Sequence, residues 1–104
     1  MKKNHKRKRS QMSRLLLKGE EVNMGVTSSA NASTFSNATV VRVVNASTTS
    51  PFLVTHVAAV GAGTTVIGSF RIPPSSVEYV EKKPTEALWA ANASVKGAPV
   101  GLTN

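Results

Sequence analysis

Short runs of β-branched residues constrain the fold of this chain more than any other feature. The runs are Thr39–Asn45, Pro51–Val60, Thr65–Ile72 and Ser76–Lys82, and clusters of Gly, Pro, Asn and Ser separate them. Runs of this length and composition, interrupted by residues that favour turns, are typical of antiparallel strands. The sequence therefore predicts an all-β domain over residues 38–104, with an antiparallel sheet over Thr39–Lys82.

Two further elements are predicted after these strands. Lys83–Ala91 has a Pro near its start, a Glu behind it and an Ala/Leu run, which together predict one short helix. Leu88 and Trp89 of this helix are expected to cover an open end of the sheet. Gly97–Leu102 is expected to form a short last strand or a tail. The expected architecture is a small antiparallel sandwich or barrel of about five strands.

The segment before the strands has a different composition. Residues 24–37 are rich in Ser, Thr, Asn and Ala, and Phe35 is their one aromatic anchor. Because such a segment buries little apolar surface, we expect an extended N-terminal arm that lies outside the core. We expect this arm to cross to a neighbouring chain, with Phe35 seated in an apolar pocket there.

Positive charge is concentrated in the first 23 residues. They hold eight Lys or Arg and two Glu, and so contribute +6 of the net charge of +8. Such a basic leader is typical of a nucleic-acid-binding arm, a nuclear-import signal or a solvated tail. No apolar run is long enough to cross a bilayer or to form the core of a signal peptide, so we expect synthesis in the cytoplasm and no membrane partner.

A fourth interpretation concerns where translation begins. Lys18–Glu21 must be encoded by purine-rich codons that resemble a bacterial ribosome-binding site, and Met24 follows at a suitable spacing. Residues 1–23 would then be a leader that is not translated in the cell. All four interpretations stay open at this stage.

Side chains that could perform catalysis are few. The chain has no Cys and no Asp, and His56 lies in the middle of a predicted strand. A general base needs a carboxylate to orient it, and a metal ligand needs companions. Neither is apparent near His56, so we predict that it bonds a neighbouring Ser or Thr. Glu78 and Glu81 are expected on opposite faces of a solvated strand end, and we expect no enzyme activity, metal or cofactor.

The small size of the body predicts that other chains support it. A domain of this length buries only about 60% of its unfolded surface, and without Cys it has no disulfides. We therefore expect a homo-oligomer or docking onto a larger assembly. Large amphipathic rings often anchor interfaces, so Phe35, Tyr79 and Trp89 are the expected interface residues. A place in the core is the alternative for Tyr79 and Trp89.

Four segments resemble small virion-associated proteins of marine tailed phages, especially phages that infect cyanobacteria. The segments are Val26–Ser33 (VTSSANAS), Val41–Asn45 (VRVVN), Tyr79–Thr85 (YVEKKPT) and Ala91–Asn104 (ANASVKGAPVGLTN). The resemblance extends over Met24–Asn104 and includes none of the basic leader, which favours a start at Met24. It implies a structural role in the particle and brings no catalytic residues with it.

This resemblance sets the expected function. A capsid-associated decoration or cement protein is the first candidate, made in the host cytoplasm and located in the virion. Its expected partners are copies of itself and other virion proteins, the major capsid protein above all. A head–tail connector or tail component is the alternative. A basic-tailed nucleic-acid-binding module is a third candidate, and it requires that the leader be expressed.

Overall fold

The computed structural model describes residues 14–103, which form eight β-strands and a single 3-10 turn at Ser29–Asn31. The strands are β1 (Arg14–Leu17), β2 (Val22–Asn23), β3 (Val40–Asn45), β4 (Phe52–Val57), β5 (Val66–Ile72), β6 (Val77–Glu81), β7 (Ala87–Ala90) and β8 (Val95–Thr103). The predicted all-β class is confirmed. The basic run Lys2–Arg9 lies outside the described residues.

The strands form two antiparallel sheets that pack face to face. The larger sheet has the order β1-β8-β3-β6, and β2 also pairs with β8. The smaller sheet has the order β5-β4-β7. Strands β3 to β6 lie where the β-branched runs predicted them, and the turn between β4 and β5 contains Gly61 and Gly63, both at positive φ.

Alternation along the strands builds the core between the sheets. In β3, Val41, Val43 and Asn45 are buried, whereas Val40, Arg42 and Val44 are only partly covered on the outward face. This is the two-residue period of a strand with one face against a core. The main core combines side chains of both sheets with two from the N-terminal segment; among them are Met24, Phe35, Val41, Val43, Val54, Ile72, Leu88, Ala90 and Val95.

The predicted helix at Lys83–Ala91 is wrong, because this segment forms a turn followed by β7. The Glu86 N–H donates to the Lys83 carbonyl at 3.0 Å, and the Lys83 N–H donates to Glu86 Oε1 at 2.9 Å. The next four residues then pair with β4. A single helical turn is unstable in isolation, whereas the strand gains a hydrogen-bonded ladder and buries three of its four residues.

The prediction that residues 24–37 lie outside the core is also wrong. Phe35 is only 4% exposed, and Met24 and Ala32 are buried as well. The segment runs along β7, where Gly25 and Ser33 form bridges with Ala90 and Leu88. A few well-placed apolar side chains and these backbone hydrogen bonds are enough to fix a segment whose overall composition is polar. The arm therefore closes one side of the sandwich.

Three consecutive residues at the end of this arm adopt the left-handed conformation. Phe35, Ser36 and Asn37 have φ values of 53°, 57° and 59°. The turn sends the Phe35 ring into the core and leads the chain into β3. For a residue with a Cβ atom this conformation costs about 1–2 kcal/mol, and the burial of Phe35 offsets part of the cost of the three residues.

Residues 14–23 belong to the larger sheet, although the sequence predicted that residues 1–23 stand apart from the body. Strand β1 pairs with residues 100–103 of β8, and β2 pairs with Lys96 and Gly97. Pairing with the edge of β8 satisfies backbone groups that a solvated tail would leave to water. The start of translation at Met24 stays a prediction.

Candidate functional site

A two-stranded ribbon carries four of the five exposed leucines among residues 14–103. Strand β3 pairs with β8 over residues 95–99, so that residues 100–103 pair with β1 alone. We call β1 together with residues 100–103 the leucine ribbon. Its leucines are 43% to 70% exposed: Leu15, Leu16, Leu17 and Leu102.

The leucine ribbon exposes leucine side chains on both faces. Leu15 and Leu17 point outward, opposite Leu102 and Val100 of β8. Leu16 points to the other face, where it lies near Gly101 beside Lys18. A strand that exposes apolar groups on both faces has no core of its own to bury them. Exposed apolar patches are typical of contact surfaces.

The outward face of the larger sheet continues this surface. A groove of about 500 Å³ runs beside the ribbon and is lined in part by Leu17, Val100 and Arg42. Arg42 Nη1 lies 3.6 Å from Glu21 Oε2. In the register of β3 and β6, Arg42 is opposite Tyr79, which is 46% exposed. The predicted interface residue Tyr79 is thus open to contact.

The opposite side of the sandwich has a cleft of about 310 Å³ between β6 and the smaller sheet. Its apolar lining includes Val54, Phe70, Val80 and Leu88, and its polar lining includes His56, Ser69 and Glu78. The N-terminal arm bridges the two sheets through β7 and β8, and Asn45 Nδ2 of β3 donates to the Ile72 carbonyl of β5 at 3.2 Å. The cleft is an opening to the core between β6 and the smaller sheet.

His56 has the carboxylate partner that sequence reasoning failed to find. Its Nε2 lies 2.9 Å from Oε1 of Glu86, not against a Ser or Thr, so the predicted partner is wrong. The same oxygen accepts the Lys83 N–H, and this bond, followed by that to His56, holds the pKa of Glu86 below its ordinary value. Because Glu86 was assigned to a helix, no pairing with a strand residue was foreseen.

The His56–Glu86 pair resembles the imidazole and the orienting carboxylate of an acid–base triad. Within residues 14–103, the hydrogen bonds of the His56 side chain run to Glu86 alone. General-base chemistry requires a reacting group within hydrogen-bond reach of the imidazole. The pair connects β4 to the turn before β7.

Lys82 is buried, although its neighbours predicted a solvated strand end. It is 5% exposed, and its Nζ donates to the carbonyl oxygen of Ala38 at 2.7 Å. Longer bonds run to the carbonyl oxygens of Lys83 and Pro84. Burial lowers the pKa of the ammonium, and the Glu86 carboxylate partly opposes that shift. The side chain ties the end of β6 to the residue before β3, which no pattern in the sequence indicates.

The other two predicted interface residues lie inside the chain or against it. Phe35 belongs to the core, so the chain covers it without a partner. Trp89 is half-buried against Ala32, Val57 and Ala87. Its indole N–H is buried and has no hydrogen-bond acceptor among the described residues. Of the three rings, Tyr79 is the one that a partner can reach without rearrangement.

Over residues 14–103, no three His, Cys, Asp or Glu side chains are grouped so that they could hold a metal ion. The same part of the chain contains no helix that is long and apolar enough to span a membrane. No protein-family model, curated protein or solved structure matches the chain.

Proposed function

We propose that this protein is a non-enzymatic structural subunit of a bacteriophage particle, bound to the capsid as a decoration or cement protein. The leucine ribbon carries this proposal. Its outward side chains Leu15, Leu17 and Leu102 are exposed in the isolated chain, and burying a side chain of this size is worth about 1.5–3 kcal/mol. A subunit repeated over a shell gains this energy at each copy.

The resemblance of Met24–Asn104 to phage virion proteins gives the proposal its biological setting. Within the chain, the only acid–base pair found among residues 14–103 is occupied in joining two elements. An exposed apolar surface, together with a core that shows no apparent chemistry among residues 14–103, is what we expect of a protein that binds other proteins. The major capsid protein is the partner proposed for the outward face.

A head–tail connector or tail component is the second candidate, and the unpaired edges of the larger sheet favour it. Strands β1 and β6 each pair with one neighbour among the described residues, as a subunit of a ring would require. A nucleic-acid-binding role has less support. Residues 14–103 hold seven Lys or Arg and five Glu; of these, Lys82 is buried and Arg42 faces Glu21.

Quantitative mass spectrometry of purified particles tests this proposal. A decoration protein should be present in a fixed ratio to the major capsid protein, whereas a ring component should be present at a far lower ratio. Absence from purified particles would contradict both candidates.

A pair of surface variants tests which face binds. Leu17→Lys places a charge on the outward face of the leucine ribbon, where it should lower incorporation at least tenfold. Ile67→Lys changes a similarly exposed residue of β5 in the smaller sheet. This control should be incorporated like the unaltered protein. Equal incorporation of both variants would rule out the ribbon as the capsid contact.

A further inference from the structure

The larger sheet ends in two strands that each have a free edge. Among residues 14–103, β1 pairs with β8 and β6 pairs with β3. An unpaired edge presents a row of N–H and C=O groups that can extend the sheet into another chain. Both edges of this sheet are therefore available to a partner strand.

The direction of the strands allows the two edges to meet. Four strands lie on the path from β1 to β6, and each pair of neighbours is antiparallel. Strands β1 and β6 therefore run in opposite directions. When a second copy stands beside the first in the same orientation, its β1 lies antiparallel to the β6 of its neighbour, and the sheet continues without a break.

The charges on the two edges are complementary. Strand β1 begins with Arg14 and is followed by Lys18, whereas β6 carries Glu78 and Glu81. Pairing β1 with a second β1 about Leu16 would place Arg14 opposite Lys18, and like charges directly opposite each other destabilise a sheet. Pairing β1 with β6 avoids this repulsion and brings Lys18 opposite a carboxylate.

One register also matches the faces of the two strands. With Lys18 opposite Glu78, Leu17 is opposite Tyr79 and Leu16 is opposite Val80. Leu16 and Lys18 lie on the inward face, near Gly101. Val80 packs against the core and lines the open cleft together with Glu78. Inward residues therefore meet inward residues, as a continuous pleated sheet requires.

This register brings a leucine to the open side of the core. Leu16 is half exposed in the single chain. Opposite Val80, its side chain would reach the mouth of the 310 Å³ cleft, whose lining includes Val54, Phe70 and Leu88. The exposed Leu16 side chain and the uncovered cleft thus lie at opposite edges of the same sheet.

We infer that copies of this protein associate head to tail, with β1 of one copy paired to β6 of the next and Leu16 inserted in the neighbour's cleft. The interface uses different surfaces on its two sides, so a rotation that closes produces a ring and one that does not produces a filament. The inference goes beyond a place in the virion, because it concerns what the isolated chain does by itself.

Sedimentation velocity of the full 104-residue chain, over rising protein concentration, tests this inference. The unaltered chain should self-associate. Lys18→Glu and Glu78→Lys should each weaken association at least tenfold, because like charges then face each other. An equimolar mixture of the two variants should regain association, since each β1 then meets a β6 of opposite charge. Circular dichroism of each variant confirms folding.

A matched control and a second variant complete the experiment. Arg71→Glu reverses an exposed charge on β5 and should leave association unchanged. Leu16→Glu should abolish self-association of the variant, whereas its unaltered β6 edge should still bind β1 of the unaltered chain. A monomeric unaltered chain, or a mixture that stays monomeric, would overturn the inference. A chain that is monomeric in solution but present in particles would overturn it while leaving the virion proposal intact.

Discussion

His56 Nε2 and Glu86 Oε1 lie 2.9 Å apart and join strand β4 to the turn that precedes β7, although thirty positions separate the two residues in the chain. The Lys83 N–H donates to the same carboxylate oxygen. The Glu86 carboxylate thus links its own turn to strand β4. The link is electrostatic, so it should respond to pH.

Glu86→Gln should lower stability at neutral pH and make stability less sensitive to acid. Hydrogen bonds from Lys83 and His56 lower the pKa of Glu86 from its ordinary 4.5. Its contribution to stability is therefore complete above pH 4.5 and is lost as pH falls through the lower folded value. Thermal melts between pH 7 and pH 2 measure the difference in stability between Glu86→Gln and the unaltered chain. This difference should vanish near pH 2. Glu20→Gln, an exposed carboxylate, is the control and should follow the unaltered chain.

His56→Gln should leave assembly intact with a modest loss of stability. Glutamine keeps a hydrogen-bond donor toward Glu86 but cannot carry the imidazole's charge. Incorporation into particles, compared with that of the unaltered protein, measures the effect. We also expect no stoichiometric metal in purified particles by elemental mass spectrometry. A bound metal that His56→Gln removes would contradict the structural role of this side chain.

The strands could be predicted from the sequence because the determining pattern is local. The β-branched run Val40–Val44 specifies a strand and assigns Val41 and Val43 to one face and Arg42 to the other. The turn at Gly61 and Gly63 is equally local, because positive φ favours glycine. These features need no knowledge of the rest of the chain.

The remaining features depend on tertiary contacts, which a local pattern does not contain. Ala87–Ala90 reads as helix by propensity, but pairing with β4 decides its conformation. Phe35 stands in a polar segment, yet the side of the sandwich that it closes is created by β7 and β8. Lys82 and Glu86 looked like surface charges because their partners, Ala38 and His56, are far away in the sequence. The exposed Tyr79 was foreseen as an interface residue and remains a candidate for one.

Lys82→Met should destabilise the protein by about 1–3 kcal/mol, the usual cost of leaving buried polar groups without partners. Methionine retains the apolar stem but cannot donate to the Ala38 carbonyl. Chemical denaturation measures the change, and Lys83→Met at the exposed neighbour should have little effect.

The unaltered chain and Lys82→Met also test how stability depends on pH. Burial lowers the folded pKa of Lys82 below its ordinary 10.5. The unfolded chain therefore binds more protons between those two values, and Lys82 makes stability rise with pH in that window. The advantage of the unaltered chain over Lys82→Met should grow as pH rises through the folded pKa toward 10.5. A stability advantage that shrinks over this pH range would contradict the lowered pKa of Lys82.

Ser36→Gly should stabilise the protein by about 0.5–1 kcal/mol. Ser36 is exposed and has a φ of 57°, a conformation that costs residues with a Cβ atom about 1–2 kcal/mol and costs glycine little. The larger chain entropy of glycine in the unfolded state reduces the gain. Thr48→Gly is the control, since Thr48 is an exposed loop residue without a positive φ. This second variant should be destabilised, and a loss of stability in both would show that the strain at Ser36 is absent.

Phe35 and Gly97 should show strong energetic coupling, because the ring lies directly over the glycine. A Cβ atom at Gly97 would stand 2.8 Å from Phe35 Cζ and from Met24 Sδ. The Met24 side chain is flexible and can move aside, but the buried ring has little room. Gly97→Ala should therefore destabilise the unaltered chain by about 1–3 kcal/mol, the usual cost of overpacking a core.

The smaller side chain of Phe35→Leu should relieve most of that overlap. In the Phe35→Leu background, the cost of Gly97→Ala should fall, with a coupling energy of about 0.5–3 kcal/mol in a double-mutant cycle. Gly101→Ala provides the matched cycle, because a Cβ there meets Lys18 and Leu16 at 3.4 Å or more and is distant from Phe35. Its effect should add to that of Phe35→Leu within about 0.5 kcal/mol. Additivity in the Gly97 cycle would mean that Phe35 does not pack on its own sheet, and the arm would then be free to seat this ring in a neighbouring chain.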